Sequence, residues 1–285
     1  VPGIRERLAQ DVAALRQALV LEQDEARSEV QALLQAVLAV NRAYLLAHPE
    51  RVLTEQELSR YRSLLQRRLQ GEPLAYILGE REFFGLGLRV TPATLIPRPD
   101  TELLVELALQ RMPEAGGRVL DLGTGSGAIA LAIAHARPDA AVTAVDAAEA
   151  ALSVAQGNAV RLGIRNASFV PSDWFSALAE QHFDLIVSNP PYIAENDSHL
   201  SQGDLRFEPR TALASGPDGL DDIRRIIGEA GAHLATDGWL LLEHGYDQAA
   251  QVRVLLQRAG FRNISSAKDL AGIERVTGGQ FSGGI

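Results

Sequence analysis

The sequence contains no cysteine among its 285 residues, which excludes disulfides, cysteine-ligated zinc and thiol catalysis and suits a reducing compartment. It also lacks an excess of positive charge: 36 acidic residues against 27 basic ones give a formal charge of -9. Broad nucleic-acid-binding surfaces need Lys and Arg to neutralise phosphates, so no direct nucleic-acid partner is expected, although a local basic patch stays open. No apolar run approaches the roughly 18 residues that cross a bilayer, so no membrane association is expected. The first residues alternate charge with leucine and lack the apolar core of a secretory leader, so the expected location is the cytoplasm. There is no Gly-Lys-Ser or Gly-Lys-Thr, the pair that a triphosphate-binding loop would need.

What is present reads as a folded globular chain, 46% hydrophobic and 22% charged, long enough for one large α/β core or a core with a small companion domain. Residues 1–75 are expected to form a helical domain. Ile4, Leu8, Val12, Leu15 and Leu19 recur at steps of three and four and share one stripe. A second helix is predicted from Ser28 to about Leu46. Thr54 with Glu57 forms a capping box, with Leu53 and Leu58 at the staple positions, and opens a helix that ends near Gly71. No catalytic cluster stands out in this segment, so it is read as a packing or substrate-docking module. Residues 76–99, rich in glycine, aromatics and proline, predict a hairpin-like linker.

Residues 100–285 are expected to form the second domain. A helix starts near Asp100. From Arg118 onward short apolar runs alternate with helical patterns: 118–122, 141–145, 167–170, 183–187 and 239–242, with helices at about 127–137, 149–161, 219–234 and 247–259. Such units predict a largely parallel sheet covered on both faces. Two further strands at 261–265 and 273–277 bring the count to seven.

The strand Arg118 to Leu122 runs into Gly123-Thr124-Gly125-Ser126-Gly127, and a helix follows at once. Glycine lets a ligand approach the backbone where a side chain would block it, and ligands sit at the carboxyl edge of such sheets. The next strand ends at Asp146, placed to accept from two ribose hydroxyls. Asp121 is a candidate for the charged end of an amino-acid-bearing cofactor. Asp173 and Trp174, after the third strand, are read as an adenine contact; a helix cap and a core indole are the alternative. The loop with its acid also describes nucleotide-dependent oxidoreductases, so alone it leaves the cofactor open.

The strand Phe183 to Ser188 ends in Asn189-Pro190-Pro191-Tyr192. The Asn189 side-chain oxygen and the Pro190 carbonyl can together hold both hydrogens of an NH2 group. An amide or exocyclic amine nitrogen is a poor nucleophile, and two acceptors on its N–H bonds stabilise the positive charge that develops during methyl transfer. The same grip orients the nitrogen, and Tyr192 can stack on the planar group. This chemistry needs no metal.

With the glycine loop, this tetrapeptide resembles the amino-methyltransferase branch of the Rossmann-like methyltransferases. Gly71-Glu72-Pro73-Leu74-Ala75-Tyr76-Ile77, Phe83-Phe84-Gly85, the run Leu95 to Glu102, Phe207 to Leu213 and Gly216 to Leu220 narrow it further. The chain thereby resembles, over nearly its whole length, the PrmC or HemK family of peptide chain release factor N5-glutamine methyltransferases. The resemblance implies an α/β, Rossmann-like class I methyltransferase fold with a seven-stranded mixed sheet and an N-terminal helical bundle. It implies S-adenosyl-L-methionine as cofactor, S-adenosyl-L-homocysteine as product, and the glutamine of the Gly-Gly-Gln motif in class 1 release factors as substrate. Carried over, Gly123, Thr124, Gly125, Gly127 and Asp146 hold the cofactor, Trp174 flanks its adenine, and Asn189 with Pro190 binds the substrate amide. The turn Ile96-Pro97-Arg98 is expected to close over the cofactor side, with Arg98 paired to a carboxylate and Glu208 in support.

Two features depart from that pattern. Ala147-Ala148 follows Asp146 where similar proteins usually have Ile-Ser, which removes a serine contact but keeps the carboxylate. The chain also carries its own Gly278-Gly279-Gln280, read as a coincidence after a terminal strand, with self-methylation as the alternative. The rival functions are N6-adenine methylation of DNA or RNA, which the same tetrapeptide would serve, and cofactor binding without catalysis; an NAD-dependent dehydrogenase explains the loop but not Asn189 to Tyr192.

Overall fold

The capping box at Thr54 forms as its residues dictate: Glu57 N–H donates to Thr54 Oγ1 at 3.3 Å and Thr54 N–H donates to the Glu57 carboxylate at 2.9 Å. In the computed structural model, which describes residues 2–283, this box opens the fourth of five helices that precede residue 80. They are α1 (Ile4–Leu19), α2 (Gln23–Leu38), α3 (Arg42–Ala47), α4 (Glu55–Leu69) and α5 (Leu74–Leu78). The single helix expected from Ser28 to Leu46 is two helices. Ala39 takes a left-handed φ of 52°, and Asn41 then caps α3 by accepting from Tyr44 N–H at 3.0 Å. A side chain that competes for backbone donors restarts the helix there.

These helices bury Ile4, Leu15, Val30, Leu33, Leu34, Leu45 and Tyr61 in one core, and full burial of each aliphatic side chain is worth about 1.5–3 kcal/mol. Residues 201–207, distant in sequence, belong to this unit rather than to the sheet unit. Arg68 explains how they are held: it donates to both oxygens of Glu29 at 2.7 and 3.0 Å, to Asp204 at 3.2 Å and to the Glu72 carbonyl at 3.0 Å.

The second unit comprises residues 80–200 and 208–285. It opens with a hairpin, β1 (Glu80–Phe83) and β2 (Leu86–Arg89). Phe84 and Gly85, with φ of 50° and 76°, make the two-residue turn whose twist matches its strands. The hairpin therefore groups with the sheet unit, and α5 extends past residue 75 into the segment expected as linker. After α6 (Glu102–Arg111) come β3 (Arg118–Leu122), α7 (Ala128–Ala136), β4 (Ala141–Asp146), α8 (Glu149–Leu162), β5 (Ala167–Pro171) and β6 (Phe183–Ser188). Then follow α9 (Asp221–Ala230), β7 (Leu234–Glu243), α10 (Ala249–Arg258), β8 (Phe261–Lys268) and β9 (Glu274–Phe281). All seven expected strands form, in the order β5-β4-β3-β6-β7-β9-β8. The first five are parallel and β9 is antiparallel to both neighbours, which is the mixed sheet of the Rossmann-like expectation. One face packs against α6 and α7, the other against α9 and α10.

The Gly278-Gly279-Gln280 tripeptide lies within β9, not beyond a terminal strand. A Cβ at Gly278 would sit 2.3 Å from Leu241 Cδ2, and both ends of the Gln280 amide are engaged, by Asp237 and Asn263. The tripeptide is strand packing.

Candidate active site

The order of the sheet reverses between β3 and β6, so a crevice opens at their carboxyl ends. Leu122 and Ser188 are register partners, and Ser188 Oγ donates to the Leu122 carbonyl at 2.7 Å. The residues that follow, Gly123 and Asn189, therefore leave the sheet side by side, although 66 positions separate them. Both line one cavity of 430 Å³, with Gly125, Asp146, Asp173, Trp174 and Pro191 among its other walls. That volume lies in the range of about 300–1,000 Å³ typical of small-molecule sites.

The loop is held by carboxylates at strand ends. Asp146 accepts from Gly125 N–H through one oxygen and from Ala148 N–H through the other, both at 2.9 Å. Each oxygen keeps a lone pair for a ligand. Gly123 and Thr124 donate to the Val145 carbonyl at 2.9 Å. Gly125 has φ +56°, and nothing in the protein lies within 4 Å of where its Cβ would be, so the cavity has space over the backbone there. Gly127 serves packing instead: its Cβ would stand 3.0 Å from Leu131 and 3.1 Å from Ala155.

Asp121 does not line the cavity. It is fully buried under the loop, where Oδ2 accepts from Thr124 Oγ1 at 2.7 Å and Ala130 N–H at 3.2 Å, while Oδ1 has no partner. Burial pushes its carboxyl up to about 7. Trp174 takes a strained φ of 51°, faces Gly123 with its six-membered ring, and donates from Nε1 to Asp222 at 3.2 Å. Asp173 reaches the cavity rim, but both its oxygens accept from Arg225 on the exposed side.

On the other wall, Asn189 Nδ2 donates to Thr101 Oγ1 at 3.3 Å. Pro190 is buried and Pro191 faces the cavity. Tyr192 packs against the α9 and α10 side of the core, outside the cavity lining, with its hydroxyl close enough to the buried Glu243 carboxyl to lower the pKa of that carboxyl. Burial pushes that phenol well above its ordinary range. Gln248 holds the Tyr192 carbonyl at 3.0 Å.

Ala93, Thr94 and Leu95 line the cavity, whereas Ile96 and Pro97 are buried beside it. Glu208 ties this turn down: Oε2 accepts from Ile96 N–H at 2.9 Å and Oε1 pairs with Arg98. It thereby sets Pro209, Thr211 and Ala212 against the cavity. Sequence reasoning missed Thr94, Thr101, Asp222 and Glu243. Thr101 stood inside the run quoted from 95 to 102, and Glu243 ends a parallel strand just as Asp146 does, so both had a local signal.

No group of metal-ligating residues occurs among the described residues, and no helix there is long and apolar enough to cross a membrane.

Comparison with known proteins gives the following. Residues 8–79 match the PrmC N-terminal domain and residues 99–207 the methyltransferase small domain. The release factor glutamine methyltransferase of Bordetella pertussis is 54% identical over 255 residues, covering 89% of this chain and 94% of that protein. That of Salmonella typhimurium is 51% identical over 261 residues, covering 92% and 94%. A methyltransferase of Pyrococcus furiosus, known from its crystal structure, is 18% identical with a TM-score of 0.54 over 76% of this chain and 97% of that one, a likeness of fold.

Proposed function

Because the chain belongs to the release factor glutamine methyltransferase family, we propose that it methylates the side-chain amide N5 of the glutamine in the Gly-Gly-Gln motif of class 1 peptide chain release factors. The observation that carries this reading is the pairing of Leu122 with Ser188, which brings the glycine loop and Asn189 to one cavity. The methyl donor is S-adenosyl-L-methionine, which supplies an electrophilic sulfonium methyl and leaves as S-adenosyl-L-homocysteine.

The residues suit that donor. Open backbone at Gly125 admits it, the free lone pairs of Asp146 suit a ribose diol, and the Trp174 face suits an adenine. The neighbouring Asp173 carboxylate at the rim is a second adenine contact only if it shares itself with Arg225. Asp121 acts from beneath, through Thr124 and the first turn of α7.

The substrate amide is gripped by the Asn189 Oδ1 and the Pro190 carbonyl, each accepting one N–H. The grip holds the nitrogen in line for methyl transfer and stabilises its developing positive charge until one N–H proton is released. No step asks for a metal. The proposed setting is the cytoplasm, where release factors work.

Methyl transfer from labelled cofactor tests this directly, with a class 1 release factor, its Gln→Ala variant and adenine-containing DNA as acceptors. Label on the wild-type factor alone is expected, and Asn189→Ala should lower turnover about 100-fold or more at nearly unchanged cofactor affinity. Label on DNA would replace the substrate. Equal losses of turnover and cofactor binding would make Asn189 a structural residue.

A further inference from the structure

The strand β7 outruns its apolar segment by one residue and ends at Glu243, whose side chain is buried. Ser188 and Leu242 are register partners on adjacent parallel strands, so Glu243 and Asn189 leave the sheet as neighbours. The hydroxyls of Thr101 and Tyr192 lie close enough to the Glu243 carboxyl to lower its pKa against the effect of burial, and Oε2 has no hydrogen-bond partner. Arg275, the nearby cation, is engaged by Asp269 at 3.1 Å and Asp100 at 3.8 Å. The catalytic scheme above gives none of these groups a task.

Thr101 has one hydroxyl proton and two neighbours, Glu243 and Asn189. An ionised Glu243 can only accept, so in that state the proton goes to Glu243. The hydrogen bond left to Asn189 is one in which its Nδ2 donates to Thr101 Oγ1, as it does at 3.3 Å. With Nδ2 turned to Thr101, Oδ1 is the end presented to the opposite side. A reversed amide would set its own NH2 against the NH2 of the substrate, donor against donor. We propose that Thr101 and Glu243 are positioning residues, which fix the rotation of the Asn189 amide so that its oxygen, not its nitrogen, meets the substrate amide.

This inference rests on the proposed function, and the test separates the two. Steady-state kinetics use the full chain, a class 1 release factor and S-adenosyl-L-methionine. Thr101→Val is nearly isosteric, removes the acceptor for Asn189, and should lower kcat about 10- to 100-fold. The release factor KM, the cofactor Kd and the thermal midpoint should stay close to wild type. Thr101→Ser should restore kcat to within about threefold. Glu243→Ala, which frees the threonine proton to donate to the Asn189 oxygen, should match Thr101→Val, and the double variant should lose no more than either single one, since both act through Asn189. Should Glu243→Ala not fold, the Val and Ser variants carry the test alone. A wild-type rate for Thr101→Val, or losses that simply multiply in the double variant, overturns the inference while the function stands. A wild-type chain that leaves the release factor unmethylated overturns the function and this inference with it.

Discussion

Buried carboxylates are handled differently in the two units. In the helical unit Glu29 is raised by burial, but the Arg68 guanidinium answers it with two hydrogen bonds and its charge. Tyr61 likewise donates to Asp11 at 2.7 Å. In the sheet unit Asp121 and Glu243 each keep one oxygen without a partner, and burial pushes both up to about 7. An isolated buried acid is expensive, and a protein that keeps one needs a reason other than stability. The paired acid ties chain segments together. The two underpaired acids sit at strand ends beneath the glycine loop and behind Asn189, where they brace the residues that line the cavity rather than close an ion pair.

Breaking the paired example should have the largest effect. Arg68→Ala leaves Glu29 buried without its cation and releases Asp204, so a loss of about 3–5 kcal/mol is expected in urea unfolding. A loss under 1 kcal/mol would mean that water replaces the arginine and that the contrast between the units is weaker than drawn.

Asp146 is the intermediate case, a partly exposed acid whose two oxygens are both occupied by backbone N–H groups. Asp146→Ala should weaken cofactor binding about 10- to 100-fold by calorimetry, since charge-assisted hydrogen bonds are worth about 1.5–3 kcal/mol. Turnover at saturating cofactor should fall less. The opposite order would move Asp146 from cofactor grip to the reacting groups.

The contrast also marks how far the sequence could be read. Motifs made of consecutive residues were legible: the glycine loop, the Asn189 to Tyr192 turn and the Thr54 box each carry their geometry in adjacent side chains. Strand number, and the edge at which the crevice opens, followed from alternation. What was hidden depends on strands meeting. Asn189 and Glu243 leave the sheet as neighbours because β6 pairs with β7, and residues 201–207 join the helical unit through Arg68 to Asp204 and Arg206 to the Gln70 carbonyl. Asp121 was placed correctly on its strand, but alternation cannot say that the side chain turns under the loop, away from the cavity. The break at Ala39 escaped because the apolar stripe continues into α3 and the αL residue is an alanine rather than a glycine.

The smallest expected effect concerns the underpaired acid that bears no direct contact with the cavity. The Asp121 carboxyl rises from 3.8 when free to about 7 when folded, so the folded chain binds a proton that the unfolded chain has released. Its contribution to stability is therefore fully present below about pH 4 and is lost as pH rises through about 7. Glu243 acts in the same direction, whereas buried His244, whose pKa is lowered, favours folding as pH rises. The wild-type curve mixes these contributions, and the difference from Asp121→Asn isolates one. Asparagine keeps the shape and an acceptor for Thr124 without ionising. Relative to wild type, the variant should gain stability between pH 5 and pH 8, on the order of 1 kcal/mol, read from urea midpoints. A difference that stays constant across this range would show that Asp121 does not titrate there, and that its orphan oxygen is satisfied in solution as fully as the carboxylates of the helical unit.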